Sequence, residues 1–93
     1  MEHGVRAHVL ISGRVQGVCF RMETDRAAGN FNVFGWVRNR PDGTVEAVFE
    51  GDRTDVDRML AWCREGPPLS RVDHMDVRWE DYSGKYTGFE IRY

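Results

Sequence analysis

The chain has 93 residues, 41 % hydrophobic and 30 % charged, with a formal net charge of −2. This predicts one domain over residues 1–93 with a core of modest size, and no apolar run is long enough for a helical membrane span. The charge offers no general attraction to nucleic acid or anionic lipid, and two cysteines are too few for a disulfide scaffold.

No basic segment followed by an apolar stretch opens the chain, which predicts a cytoplasmic location and free thiols at Cys19 and Cys63. His3, His8 and His74 are scattered, and no His or Cys spacing suits zinc, so neither a metal nor a cofactor is expected. The 13 basic residues are twelve arginines and Lys85. Arginine grips phosphate through a planar fork, although most of the twelve read as background composition.

Val5, Ala7, Val9 and Ile11 alternate with Arg6, His8, Leu10 and Ser12, the pattern of a half-buried strand with His8 on its other face. Gly13-Arg14-Val15-Gln16-Gly17-Val18-Cys19-Phe20-Arg21 follows as a glycine-bracketed loop leading into a helix. Phe20, Thr24, Ala27, Ala28 and Phe31 recur at helical spacing. Gly29 weakens that helix by about 1 kcal/mol relative to alanine, and Asn32 can end it in the left-handed conformation.

Val33 to Asn39 reads as a second strand, Pro41-Asp42-Gly43 as a turn, and Thr44 to Glu50 as a third strand closing a hairpin. Asp52 or Thr54 caps a second helix with the apolar stripe Val56, Met59, Leu60 and Cys63, and Gly66-Pro67-Pro68 stops it. Val72 to Glu80 is a fourth strand whose alternation slips between Val72 and Met75, at a bulge. Phe89, Ile91 and Tyr93 alternate in a short terminal strand.

The order β-α-β-β-α-β predicts a ferredoxin-like α+β sandwich: an antiparallel sheet, two helices on one face and a short extra C-terminal strand. Right-handed crossover makes strands one and two parallel with strand three between them. The loop after strand one and Asn39 at the end of strand two then share one edge of the sheet, about 10 Å apart.

The loop has the chemistry of an anion cradle. Backbone N–H groups of Val15, Gln16, Gly17, Val18, Cys19 and Phe20 can converge on phosphate oxygens, a helix N-terminus adds its dipole, and Arg21 adds a fork. It is not a nucleotide P-loop, because no Lys-Ser/Thr pair follows the second glycine. Nor is it a cysteine-phosphatase loop built on Cys19, because Asp25 stands where that loop needs arginine. Phosphoryl transfer with a carboxylate leaving group needs positioning and charge stabilisation more than a general acid, since the departing acid has a pKa of roughly 4. Asn39 can orient the attacking water.

Gly-Arg-Val-Gln-Gly-Val-Cys-Phe-Arg followed by Gly35-Trp36-Val37-Arg38-Asn39 resembles the acylphosphatase family. The likeness runs on through Gly66-Pro67-Pro68 and the Phe-Glu-Ile-Arg-Tyr end. The departures are Gly29 and Phe31-Asn32-Val33, where the family commonly has Leu-Gly-Leu. The resemblance implies a ferredoxin-like fold and metal-free hydrolysis of acyl phosphates to carboxylate and phosphate. It implies that Arg21 and the loop amides bind phosphate, as part of substrate and as an inhibitory product, and that Asn39 holds the water. The enzyme is expected to be a monomer.

Two other classes compete. An RNA-binding sheet has the same topology but needs stacking aromatics, and strand three offers only Phe49 and strand one none. A non-catalytic domain that binds phosphorylated metabolites would use the cradle but has no need of Asn39. Arg14, Arg38 and Arg40 read as solvated residues that could also steer an anion, and Trp36, Trp62 and Trp79 as core or sheet-face residues.

Overall fold

The computed structural model describes residues 4–93, so His3 lies outside it. β1 (Gly4–Arg14) is followed by α1 (Phe20–Phe31), β2 (Phe34–Asn39), β3 (Val45–Asp52), α2 (Arg53–Glu65), β4 (Arg71–Glu80) and β5 (Phe89–Arg92). The strands form one sheet in the order β4-β1-β3-β2-β5. β3 runs antiparallel to β1 and β2, which are therefore parallel to each other and end at the same edge.

The expected antiparallel sheet needs one correction. β5 pairs with β2 in parallel, so the sheet is mixed. A parallel neighbour needs a crossover, and the segment from α2 through β4 and the following loop supplies it. β5 thus also ends at the edge where Asn39 lies.

The alternating apolar residues of β1 all face the helices. Ala7, Val9 and Ile11 lie opposite Phe49, Ala47 and Val45 of β3, and together they form the centre of the core. α1 adds Phe20, Thr24, Ala27 and Ala28, and α2 adds Val56, Met59, Leu60 and Cys63. Burial in this apolar layer pushes the Cys63 thiol pKa up, which keeps it neutral.

Gly35 stands between Phe49 on one side and Phe89 on the other. A Cβ there would come within 1.9 Å of the Val48 carbonyl oxygen. Its absence lets the two phenyl rings stack across it at 5.9 Å. Asn32 ends α1 with φ 59° and ψ 47°, and the N–H of Val33 bonds back to the Ala28 carbonyl. Asp52 is the N-cap of α2, yet its side chain makes no capping bond. The register between β1 and β4 shifts between Ser12 and Gly13, leaving Asp73 as the extra residue, so the bulge lies where the alternation slips.

The face of the sheet away from the helices is not a plain solvated surface. β3 is buried on both sides, with Glu46 at 6 % and Glu50 at 1 % exposure. Glu46 accepts hydrogen bonds from Arg38 at 2.6 Å and His8 at 2.6 Å. Glu50 accepts from Arg6, from the N–H and hydroxyl of Ser83 and from the N–H of Gly84, at 2.8–3.0 Å. The segment after β4 therefore folds back over the sheet and is held by one carboxylate. Burial alone would raise the pKa of both glutamates, but these donors outweigh it and hold both below the ordinary carboxylate value. No helix among the described residues is long and apolar enough to cross a membrane.

Candidate active site

The loop between β1 and α1 is shaped by which of its side chains are buried. Val15, Val18 and Phe20 are at most 6 % exposed and belong to the core, whereas Gly17 and Cys19 face solvent. Anchoring the first three inward turns the intervening backbone toward the sheet edge. Gly17 has φ 74° and Cys19 has φ 62°, a conformation uncommon for a non-glycine residue and typical of anion-binding backbone nests. Among the described residues, no group accepts a hydrogen bond from the N–H of residues 15 to 19. Cys19 is the N-cap of α1 and offers no side-chain cap, which leaves the first N–H groups of the helix open as well. N–H donors without a protein acceptor at a helix N-terminus suit an oxyanion.

The side chain of Gln16 ties the loop to another part of the fold. Its side-chain nitrogen donates to the carbonyls of Arg40 at 2.8 Å and Thr44 at 2.9 Å. These carbonyls flank the β2–β3 turn, where the Arg40 N–H also bonds to Thr44 O and Asp42 accepts two bonds from Thr44. The loop is thus tied to the hairpin that carries Asn39.

Asn39 ends β2 on the helix-facing side, opposite Val45. Its side-chain oxygen Oδ1 is buried and has no hydrogen-bond partner. Buried acceptors are satisfied in the great majority of cases, so an orphan beside an open cleft marks a place where something else donates. A cleft of about 370 Å³ is lined by Val15, Gly17, Cys19, Arg21, Asn39 and Tyr93 among others. The two halves of the site, far apart in sequence, meet in it.

Arg21 sits in the first turn of α1 and reaches toward β5. One guanidinium nitrogen donates to the Arg92 carbonyl at 3.3 Å, and the group stacks on the Tyr93 ring at 4.7 Å. Sequence reasoning missed this support. The alternation of Phe89, Ile91 and Tyr93 indicates a strand but not which edge it joins, and only the parallel pairing with β2 brings its end beside Arg21.

The other arginines fall elsewhere. Arg38 pairs with Glu46 on the far face of the sheet, and Arg40 lies 3.6 Å from Asp42. Trp62 packs edge-on against Phe20 at 6.0 Å and so supports the start of α1. Trp36 lies on the far face beneath Arg38 and Arg92, and Trp79 is 45 % exposed under Arg53. Among the described residues, no cluster of three or more His, Cys, Asp or Glu side chains could hold a metal ion.

Comparison with known proteins shows the family and the fold. The acylphosphatase family model matches residues 7–91. An acylphosphatase of Syntrophobacter fumaroxidans is 58 % identical over 88 residues, covering 95 % of this chain and 91 % of that one. One of Pelotomaculum thermopropionicum is 53 % identical over 88 residues, covering 95 % and 96 %. The solved structure of an acylphosphatase from Coxiella burnetii superimposes with a TM-score of 0.93 at 33 % identity, covering 98 % of this chain and 95 % of that one. The chain belongs to the acylphosphatase family and is an enzyme that hydrolyses acyl phosphates.

Proposed function

We propose that the cleft hydrolyses the phosphoryl–carboxylate bond with Arg21 and the loop amides of residues 15–20 holding the phosphoryl group and Asn39 orienting the water. The observation that carries the reading is the orphaned Oδ1 of Asn39, buried in the same cleft as Arg21 and the unengaged amides. That oxygen is an acceptor with nothing to accept from, and a water O–H supplies the missing donor.

In the proposed step the water oxygen bonds to phosphorus while the bond from phosphorus to the acyl oxygen breaks. The carboxylate leaves with the bonding electron pair, and one water proton passes to a phosphoryl oxygen. Charge is −2 on both sides when the products are a carboxylate and dihydrogen phosphate, so no side-chain base is required. The amides and the Arg21 fork stabilise the charge on the equatorial oxygens, the main requirement of a loose transition state. Stacking on Tyr93 and the bond to Arg92 O fix the guanidinium before substrate arrives, which limits the ordering needed on binding. Inorganic phosphate fits the same cradle and is expected to inhibit.

The test is phosphate release from benzoyl phosphate by the purified protein in excess EDTA, with Arg21→Ala and Arg21→Lys beside it. Hydrolysis that survives the chelator and is lost in both variants supports the reading, because a lysine point charge does not reproduce the fork. Near-normal turnover in Arg21→Lys refutes the role given to that side chain. Phosphate binding without turnover by folded wild type would favour a non-catalytic phosphate-binding domain.

A further inference from the structure

We propose that β4 is a dimerisation edge: two copies of the chain pair their β4 strands antiparallel about a two-fold axis at Val77, joining two five-stranded sheets into one continuous sheet. The inference rests on the outer edge of the sheet and is independent of the site assignment above. It replaces the monomer expected from the family resemblance.

β4 has β1 on one side and, among the described residues, no strand on the other, so a row of its backbone N–H and C=O groups faces outward. The bulge at Asp73 interrupts the ladder with β1, and the regular stretch runs from His74 to Glu80. Val77 is the midpoint of that stretch. Antiparallel pairing over its full length with a second copy therefore sets Val77 opposite Val77, Asp76 opposite Arg78, Met75 opposite Trp79 and His74 opposite Glu80. Opposite residues share a face of the joined sheet. Met75, Val77 and Trp79 lie on the helix side with their partners Ile11, Val9 and Ala7, and His74, Asp76, Arg78 and Glu80 lie on the far side.

The side chains complement one another in this register, and the symmetry makes every contact twice. Two opposite-charge pairs of Asp76 and Arg78 flank the axis. These side chains are 47 % and 75 % exposed, and within one chain they stand 3.7 Å apart, so they are free to turn toward a second copy. On the helix side the Met75 thioether meets the indole of Trp79, which is 45 % exposed. Moving the axis one residue either way sets Asp76 against Asp76 or Arg78 against Arg78, like charges directly opposite. The register that uses the whole regular stretch is thus the one the charges permit. That agreement picks out a second copy of this chain as the occupant of the edge. The contact area is small, so the dimer is weak, and its charge pairs make it weaken further with salt.

The experiment is sedimentation equilibrium at low ionic strength, from about 10 µM to 1 mM protein, the affinity range of a small contact. The wild type is expected to associate to a dimer within that range. Asp76→Arg alone and Arg78→Asp alone each place like charges opposite one another twice, and each is expected to weaken association about tenfold. An equimolar mixture of the two variants restores opposite charges at both places, and association is expected to return. None of residues 74–80 lines the cleft, so wild-type turnover of benzoyl phosphate checks that each variant is folded. A wild type that stays monomeric up to the highest concentration overturns the proposal. So do single variants that associate as the wild type does, and so does a mixture that fails to recover.

Discussion

Asn39→Ala separates catalysis from stability. In the wild type no protein group donates to the buried Oδ1, whose donor in the proposed site is water, so truncating the side chain breaks no hydrogen bond within the protein to that oxygen. Alanine removes the oxygen and leaves space continuous with the cleft, which water fills, so no dry void opens. The folded state is therefore expected to keep the wild-type stability, with an unchanged Tm. Turnover should fall. A water no longer held in line loses on the order of 10²-fold in kcat, equivalent to about 2.7 kcal/mol of transition-state stabilisation. Inhibition by phosphate should persist, because the cradle and Arg21 are untouched. The assays are steady-state hydrolysis of benzoyl phosphate, phosphate inhibition and urea unfolding on one preparation. A variant that keeps its turnover, or that unfolds more easily than wild type, refutes the reasoning: the first denies the water-orienting role, the second makes Asn39 a structural residue.

Gly29 is solvent-facing within α1 and a Cβ there meets nothing within 4 Å, so Gly29→Ala should stabilise by about 1 kcal/mol and leave turnover unchanged. An unaltered Tm in thermal unfolding would contradict this. Gln16→Ala removes both bonds from the cradle to the hairpin and should weaken phosphate inhibition about tenfold, the equivalent of roughly one net hydrogen bond; unchanged inhibition would mean the loop holds its shape unaided. Glu50→Gln leaves at least one donor unmatched and should cost about 2–4 kcal/mol at neutral pH. Because the Glu50 pKa is held below its ordinary value, its contribution is full at neutral pH and is lost as pH falls through about 4 and below. The gap between wild type and Glu50→Gln in urea midpoints should thus narrow from pH 7 to pH 3, and a constant gap would show that the carboxylate charge is not what matters.

The parts of the site that depend on local pattern were legible in the sequence. Alternation in Val5 to Ile11, the glycine-bracketed loop and helical spacing from Phe20 placed the cradle, and strand order then brought Asn39 to the same edge. The slip between Val72 and Met75 marked the bulge because each strand residue has a fixed side. What escaped depends on contacts that periodicity does not encode. Glu46 and Glu50 look like solvent-side residues of an alternating strand, yet partners from β1, β2 and the segment after β4 bury them. Gln16 read as one more loop amide because its side chain acts across 24 and 28 residues of sequence. The parallel placement of β5 was hidden because four alternating residues specify a face and say nothing of an edge.

The central position of the first strand governs how the chain reaches its fold. β1 lies between β3 and β4, so Arg6 finds its carboxylate partners 44 and 74 residues downstream. At a synthesis rate of about 5–20 residues per second, the strand waits roughly 4–15 s for its second neighbour. Until then one of its edges stays open, and Arg6 and Arg14 are the arginines that this proline-free, largely apolar strand carries against pairing with another copy. So many non-local pairings also set refolding on the slow side, in the millisecond-to-second range of high-contact-order domains. The cradle and Asn39 are brought to one edge by the β1-β3-β2 order, so phosphate affinity should appear together with the sheet and not before it. A ligand that binds only the finished sheet would then draw late folding intermediates toward the native state by mass action.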